Sequence, residues 1–324
     1  MAVMVNGHSI AIDCWDPEST LNFVSHAHSD HISGIRKNKK VIASRITKEL
    51  VERRDHRKEI DLAGDVKGVT MLNAGHILGS RQMYAESEEL GASVLYSGDY
   101  QMGSVSVAEP IDLREADILI IDSTYPEPSD VFGERERIIL SIQKFIRNTI
   151  KKGIVLFSSY ALGKAQEING IANEIDILPL VDRKIASVNE LYVKNGMKLE
   201  YLSAEDESEE LESFLRDNFL AITSMRNFNE IAVKLSNVYG RRVYTAVASG
   251  FAKNFNMGSY AQFPLSDHSD FRQALEYIDA CSPSKIYTRG NRGSSSIFAK
   301  NLSRLGYPAE VFNGSIPAEW RKTL

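Results

Sequence analysis

The chain has 324 residues, a net charge of −5, 43% hydrophobic residues and 25% charged residues. That length suits one large domain or two of ordinary size, and no run of about eighteen uncharged apolar residues is present to span a membrane. The acidic balance speaks against a broadly basic face, so any cationic groove for a polyanion must be local, and two distant cysteines, Cys14 and Cys281, argue against a disulfide framework and fit a reducing, cytoplasmic setting.

From Met1 to Asp13 apolar and polar residues alternate, which predicts a strand; no cationic segment leads into an apolar signal core. Short apolar runs at Ile10 to Asp13, Leu21 to Ser25, Val69 to Leu72, Ser93 to Ser97 and Ile118 to Ile121 predict further strands, several ending directly in polar residues. Apolar strands that deliver His or Asp at their tips are how layered α/β enzymes build sites along a sheet edge. Between Glu134 and Lys151 apolar residues fall at helical spacing, with Asp130 and Gly153 as start and stop signals. Ile154 to Phe157 then reads as a strand and Gly163 opens another helix, so the middle of the chain predicts a βαβ-type unit. The acidic stretch from Glu205 to Glu212 reads as a solvated loop or helix edge. Near Pro264 the polar, His-bearing character of the first part returns, as expected if the middle is inserted into one split domain.

The chemistry concentrates in HAHSDH, His26 to His31, directly after an apolar strand. Neutral imidazoles and carboxylates suit zinc; His26 and His28 can converge on one ion while Asp30 and His31 face a second position. His76 in NAGHILGS and Asp99 in YSGDY follow at other strand ends beside glycine, and Asp99, with two oxygens, could serve two ions. Asp13 ends the first strand and is placed to orient a ligand histidine through its other ring nitrogen, though a turn-capping role is as good an account.

In that order and spacing HAHSDH, AGHILGS and SGDY resemble the metal motifs of the metallo-β-lactamase superfamily. IDSTY at Ile121 to Tyr125, SYALGKAQE at Ser159 to Glu167, ASGFA at Ala248 to Ala252 and LSDHSD at Leu265 to Asp270 resemble its β-CASP nuclease branch. Within that branch the chain is most similar to compact ligase-associated DNA exonucleases and archaeal messenger-RNA 3′-end processing factors, with features of Artemis-type DNA nucleases. The resemblance implies an α/β fold: a split αββα metallo-β-lactamase sandwich over residues 1–125 and 264–324 with a β-CASP α/β domain inserted at 126–263, and a catalytic groove between them. It puts a first zinc on His26, His28, His76 and Asp99, and a second on Asp30, His31 and Asp99, with manganese or magnesium admitted at the second position. Asp30 counts also among the catalytic acids. Asp122 and His268 take the role of a carboxylate orienting an imidazolium that protonates the leaving oxygen.

All seven histidines are His8, His26, His28, His31, His56, His76 and His268, so nothing after His268 can be an imidazole ligand. Where RNA-processing members carry a late His-Gly, IYTRGNRG offers Arg289 or Gly290, which implies a weak second metal position and tilts the substrate toward DNA. Arginine binds phosphate bidentately but not zinc, so Arg289 is expected to hold substrate. Gly163 and Lys164, opening a helix, could receive a phosphate; Tyr160 could stack a base, and Arg241, Arg242, Lys253 and Arg292 could line the path of a single strand. His56, in RRDHRKE, and His8, beside Gly7, read as solvated or turn residues, and Arg36 to Lys40 as a solvated basic loop.

The function expected is zinc-dependent hydrolysis of nucleic-acid phosphodiester bonds, with DNA exonuclease first and RNA processing as the alternative. A zinc ion lowers the pKa of a water it holds from far above the neutral range toward roughly 7, which makes hydroxide available at neutral pH. Nucleic acid is the expected partner, with DNA-repair or RNA-processing proteins and a homodimer allowed and a membrane excluded. A small-molecule hydrolase of the same fold and a decayed nucleic-acid-binding scaffold are the competing readings; the first has no use for a leaving-group acid such as His268, and the second none for an intact ligand set.

Overall fold

The computed structural model describes residues 2–35, 39–55, 59–224, 228–253 and 258–316. In chain order the first part holds β1 (Ala2–Val5), β2 (His8–Ile12), β3 (Leu21–Phe23), β4 (Val41–Ile42), α1 (Arg45–Arg54), β5 (Val69–Asn73), β6 (Arg81–Ser87), β7 (Ala92–Tyr96) and β8 (Ile118–Asp122). The middle holds α2 (Arg135–Thr149), β9 (Ile154–Ser159), α3 (Lys164–Asn173), β10 (Pro179–Val181), α4 (Arg183–Lys194), β11 (Leu202–Ser203), α5 (Glu209–Leu215), β12 (Leu220–Ser224), α6 (Phe228–Tyr239), β13 (Val243–Ala248) and β14 (Ala261–Phe263). The last part holds α7 (Phe271–Cys281), β15 (Lys285–Arg289), α8 (Arg292–Arg304) and β16 (Ala309–Val311). The result is a mixed α/β protein in two compact units, Met1–Val131 with His268–Leu324, and Phe132–Asp267.

The split unit contains two sheets, β1-β2-β3-β4 and β16-β15-β8-β7-β6-β5. The opening alternation is broken at Asn6 and Gly7, both at positive φ (48° and 83°), so Val5 pairs with His8 across a two-residue turn: the stretch from Met1 to Asp13 is a hairpin, with the turn between early strands expected beside Gly7. His8 thus begins β2 rather than lying in the turn, and it is exposed. Strand β8 alternates perfectly: Ile118 and Ile120 pack with Val3, Ile10 and Phe23 between the sheets, while Leu119 and Ile121 pack under Phe271, Ile278 and Phe298 of α7 and α8. A strand buried on both faces reads as a continuous apolar run, as this one does. Since β7, β8 and β15 are parallel neighbours, their carboxyl ends share one edge, with Arg289 opposite Asp122 in register.

The continuous unit is a single parallel sheet, β11-β10-β12-β9-β13-β14. Central strand β9 sends Val155 and Phe157 into a core with α2, α3 and α4, and Ile154 and Leu156 to the opposite face with Phe219. The helix expected from Glu134 starts there, but Asp130 does not cap it: its carboxylate accepts the Glu127 amide at 3.0 Å. Ile142 and Ile146 carry its buried face, each contributing about 1.5–3 kcal/mol by leaving water. The acidic run becomes the start of α5, where Ser208 accepts the Leu211 amide and three glutamates occupy the first turn, favourable at the positive end of a helix dipole. Among the described residues no helix is long and apolar enough to cross a membrane.

Candidate metal centre

Every residue of the centre belongs to the split unit and sits just past a strand end. Buried β3 leads through Val24 and Ser25 into His26 and His28, β5 ends three residues before His76, and β7 ends three residues before Asp99. Two glycines let these loops close on one another. Gly98 has φ +55°, and a Cβ there would meet Ser25 Cβ at 2.7 Å; Gly75 has φ +75°, and a Cβ there would meet the Gln101 carbonyl oxygen at 2.4 Å. Backbone hydrogen bonds tie the loops together, Arg81 N to Ser25 O (2.8 Å) and Gln101 N to Ala74 O (3.0 Å).

His26, His28, His76 and Asp99 each bring one ligand atom within 4.8 Å of all the others. His28 Nδ1 lies 3.0 Å from His26 Nε2 and 3.2 Å from His76 Nε2, and Asp99 Oδ2 lies 3.5 Å from His26 Nε2 and 3.8 Å from His76 Nε2. Four donors on arms of about 2.0–2.1 Å around a tetrahedral ion are spaced by roughly 3.3 Å, so the donor set could hold a divalent metal ion. Electrostatics agree. Burial, followed by the charge of His31, holds His26 well below the usual imidazole range, the neutral form a ligand needs. Burial pushes the Asp99 carboxyl up, but His31 and His268 outweigh it and hold it well below the ordinary carboxylate range.

His31 sits beside this group, its Nε2 3.3 Å from Asp99 Oδ2 and 3.5 Å from Asp30 Oδ2. The Asp30 side chain is 78% exposed, and its hydrogen bond to His31, against a smaller opposing burial effect, brings its pKa down to about 2. Behind the ring, Asp13 Oδ2 accepts His31 Nδ1 at 2.8 Å, Ser25 Oγ at 2.5 Å and the Tyr96 hydroxyl at 2.7 Å, while Asp13 Oδ1 accepts the Ser25 amide at 2.7 Å. Asp13 adopts φ +45°, a conformation Asp tolerates. Burial lowers the His31 pKa, yet Asp99 and Asp13 together raise it well above the imidazole norm.

Across the shared strand edge His268 Nδ1 lies 3.2 Å from Asp122 Oδ2, and His268 Nε2 is 3.9 Å from Asp99 Oδ2. Asp122 is oriented by Thr124, whose amide (3.1 Å) and hydroxyl (2.9 Å) donate to its Oδ1. The His268 backbone carbonyl accepts Gln101 Nε2 at 2.8 Å, and Asp270 caps α7 two residues on. Tyr96, Ser25, Thr124 and Gln101 escaped the sequence reading. For Ser25 and Thr124 the signal available was adjacency to His26 and Asp122; for Tyr96, inside an apolar strand, there was none.

The substrate-binding expectations fare differently. Arg289 Nη1 donates to the Tyr96 hydroxyl and Nη2 to the Ile12 carbonyl at 3.0 Å, so the guanidinium is committed inward rather than offered to phosphate. Lys164 is 2% exposed and its ammonium is 2.6 Å from Glu167 Oε2; the Gly163 amide is taken by Gln166 Oε1 at 2.7 Å. A buried ammonium without a counter-charge is expensive, which explains the pairing and removes this helix start as an open phosphate cradle. Arg241 donates to the carbonyls of Leu215, Arg216 and Asp217, and Arg242 lies over the Tyr244 ring at 4.9 Å. Tyr160 is 63% exposed. Arg36, Lys37 and His56 lie outside the described residues, as do the side chains of Lys253 and Arg292.

No protein-family model matches the chain. Among curated proteins it is 28% identical to a probable DNA ligase of Opitutus terrae over 89% of the chain and 28% of that protein. It is 34% identical to an RNase J-like protein of Methanocaldococcus jannaschii over 46% of the chain and 42% of that protein. The chain therefore spans less than half the length of these relatives. Among solved structures, a protein of unknown function from Enterococcus faecalis shares the fold with a TM-score of 0.56 at 12% identity, over 85% of the chain and 76% of that structure.

Proposed function

We propose that the chain belongs to the metallo-β-lactamase/β-CASP nuclease family and is a zinc-dependent nuclease hydrolysing phosphodiester bonds, with DNA cleaved exonucleolytically. On this reading residues 1–131 and 268–324 form the split metallo-β-lactamase domain and 132–267 the β-CASP insertion. The observation that carries it is the convergence of three imidazole nitrogens and one carboxylate oxygen at 3.0–3.8 Å, beside a second imidazole–carboxylate pair. A nitrogen-rich, four-donor set favours zinc over magnesium or calcium. When bound, the metal supplies Lewis acidity toward a phosphate oxygen and an activated water.

The chain's own residues do the rest. Asp122 holds the His268 ring through Nδ1, which leaves Nε2 as the atom from which a proton would pass to a departing sugar oxygen. Asp13 fixes the His31 ring in the same manner. Asp99 Oδ2, within 3.9 Å of His26, His31, His76 and His268, gathers the centre around one oxygen. DNA stands first because the relative matched over 89% of the chain is named a DNA ligase; the RNase J-like relative supports RNA as the second substrate to assay. The test incubates metal-loaded protein with end-labelled DNA and RNA, single- and double-stranded, with and without 5′-phosphate, using His28→Ala as the control for contaminating nuclease. Stepwise shortening of DNA that the variant lacks is the expected result; no cleavage of any polynucleotide would overturn the reading.

A further inference from the structure

Arg289 presents an arrangement that a phosphate-binding role does not account for. A guanidinium stays charged at any ordinary pH and is rarely buried without a fixed partner. Here the side chain is 16% exposed, with its Nη1 on the Tyr96 hydroxyl and 3.9 Å from Asp13 Oδ2, and its Nη2 on the Ile12 carbonyl. Tyr96 passes its own hydroxyl proton to Asp13 Oδ2, the oxygen that also accepts His31 Nδ1. A continuous relay thus runs from Arg289 through Tyr96 and Asp13 to the His31 ring, whose Nε2 faces Asp99 and Asp30.

We propose that Arg289 is a positioning residue of this centre: through Tyr96 and Asp13 it fixes the His31 ring, and its permanent charge opposes a second divalent ion beside His31, Asp30 and Asp99. The inference rests on the metal reading above. Two physical effects separate here. The hydrogen-bonded relay sets ring orientation and needs the Tyr96 hydroxyl. The charge effect needs only a cation, because a unit charge several ångströms away in a poorly solvated site shifts divalent-ion affinity by at least about tenfold.

The experiment titrates Zn²⁺ and Mn²⁺ into the wild type and into Arg289→Met, Arg289→Lys and Tyr96→Phe by calorimetry. It also records the exchange-protected His31 ring N–H signal by NMR and checks folding by circular dichroism. Arg289→Met is expected to take a second equivalent of metal at least about tenfold more tightly than wild type, and Arg289→Lys to keep the wild-type second-site affinity. Tyr96→Phe should weaken or lose the ring signal without tightening the second equivalent. Identical metal binding in wild type and Arg289→Met, or equal changes in the Met and Lys variants, would overturn the proposal while leaving the metal centre standing. A wild type that binds no metal at all would sink both.

Discussion

Each unit buries a knot of charge, and the two knots are built on opposite principles. In Phe132–Asp267, Lys164 and Glu167, each 2% exposed, are joined by Arg135, which donates to Glu167 Oε1 and, at 2.6 Å, to the Ser266 carbonyl. Each carboxylate oxygen of Glu167 meets a cation, Arg135 at Oε1 and Lys164 at Oε2, and that shared anion closes the knot. In the split unit His28 Nδ1 faces two other imidazole nitrogens at 3.0 and 3.2 Å, and Asp99 Oδ2 collects four rings. Three imidazole nitrogens and a carboxylate oxygen turn toward one another, a set that a divalent cation could take as its ligands. A closed knot stabilises a fold; an open one calls for a cation from outside.

Breaking the open knot should have the largest effect. Asp99→Ala or His28→Ala is expected to abolish stoichiometric metal and lower nuclease activity by more than about a thousandfold, with the fold retained; elemental analysis beside a rate assay reads both. Asp122→Asn and His268→Ala should separate chemistry from metal binding, costing on the order of 10²- to 10⁴-fold in rate while metal content stays at the wild-type level. Parallel loss of metal in either variant would assign the pair to ligation instead.

The closed knot answers to stability rather than to metal. Glu167→Ala leaves two buried cations uncompensated and should destabilise by roughly 3–5 kcal/mol in denaturant unfolding, whereas the metal content of the folded fraction stays unchanged. A variant as stable as the parent would mean that water reaches this ion cluster. The smallest expected effect concerns Cys281, whose thiol burial pushes up to about 11 from the ordinary value of 9.0. A thiol pKa raised by folding adds stability that is complete below the unfolded value and is lost as pH climbs from about 9 to about 11. Cys281→Ala should therefore flatten the alkaline limb of a stability-against-pH curve, and an unchanged limb would place that loss in other groups.

What the sequence made legible follows from how local each signal is. His26, His28 and His31 announce themselves because one turn after one strand carries them all, and Asp99 and His76 because glycine marks the bend before each. The role of Tyr96 was illegible: its hydroxyl reaches Asp13 across 83 positions, and within ASVLY it reads only as core. Arg289 and Lys164 misled for a shared reason, since a cation in a motif is read as exposed unless its counter-group is visible. The partners of Arg289 lie up to 277 positions away. Glu167 stood three positions from Lys164, at the spacing of neighbours on a helix, and that signal could have been used. The turn beside Gly7 was legible from the glycine itself, and the structure places it at Asn6-Gly7 with His8 already in the following strand.

The pairing of His268 with Asp122 spans 146 positions, whereas His26, His28, His76 and Asp99 all precede residue 100. On a ribosome the four proposed metal donors emerge long before the imidazole proposed to hand over the proton, and a whole parallel sheet must be synthesised in between. A chain halted between the two would thus hold the proposed metal donors without the proposed proton donor, and hydrolytic competence would arrive only once His268 had been made.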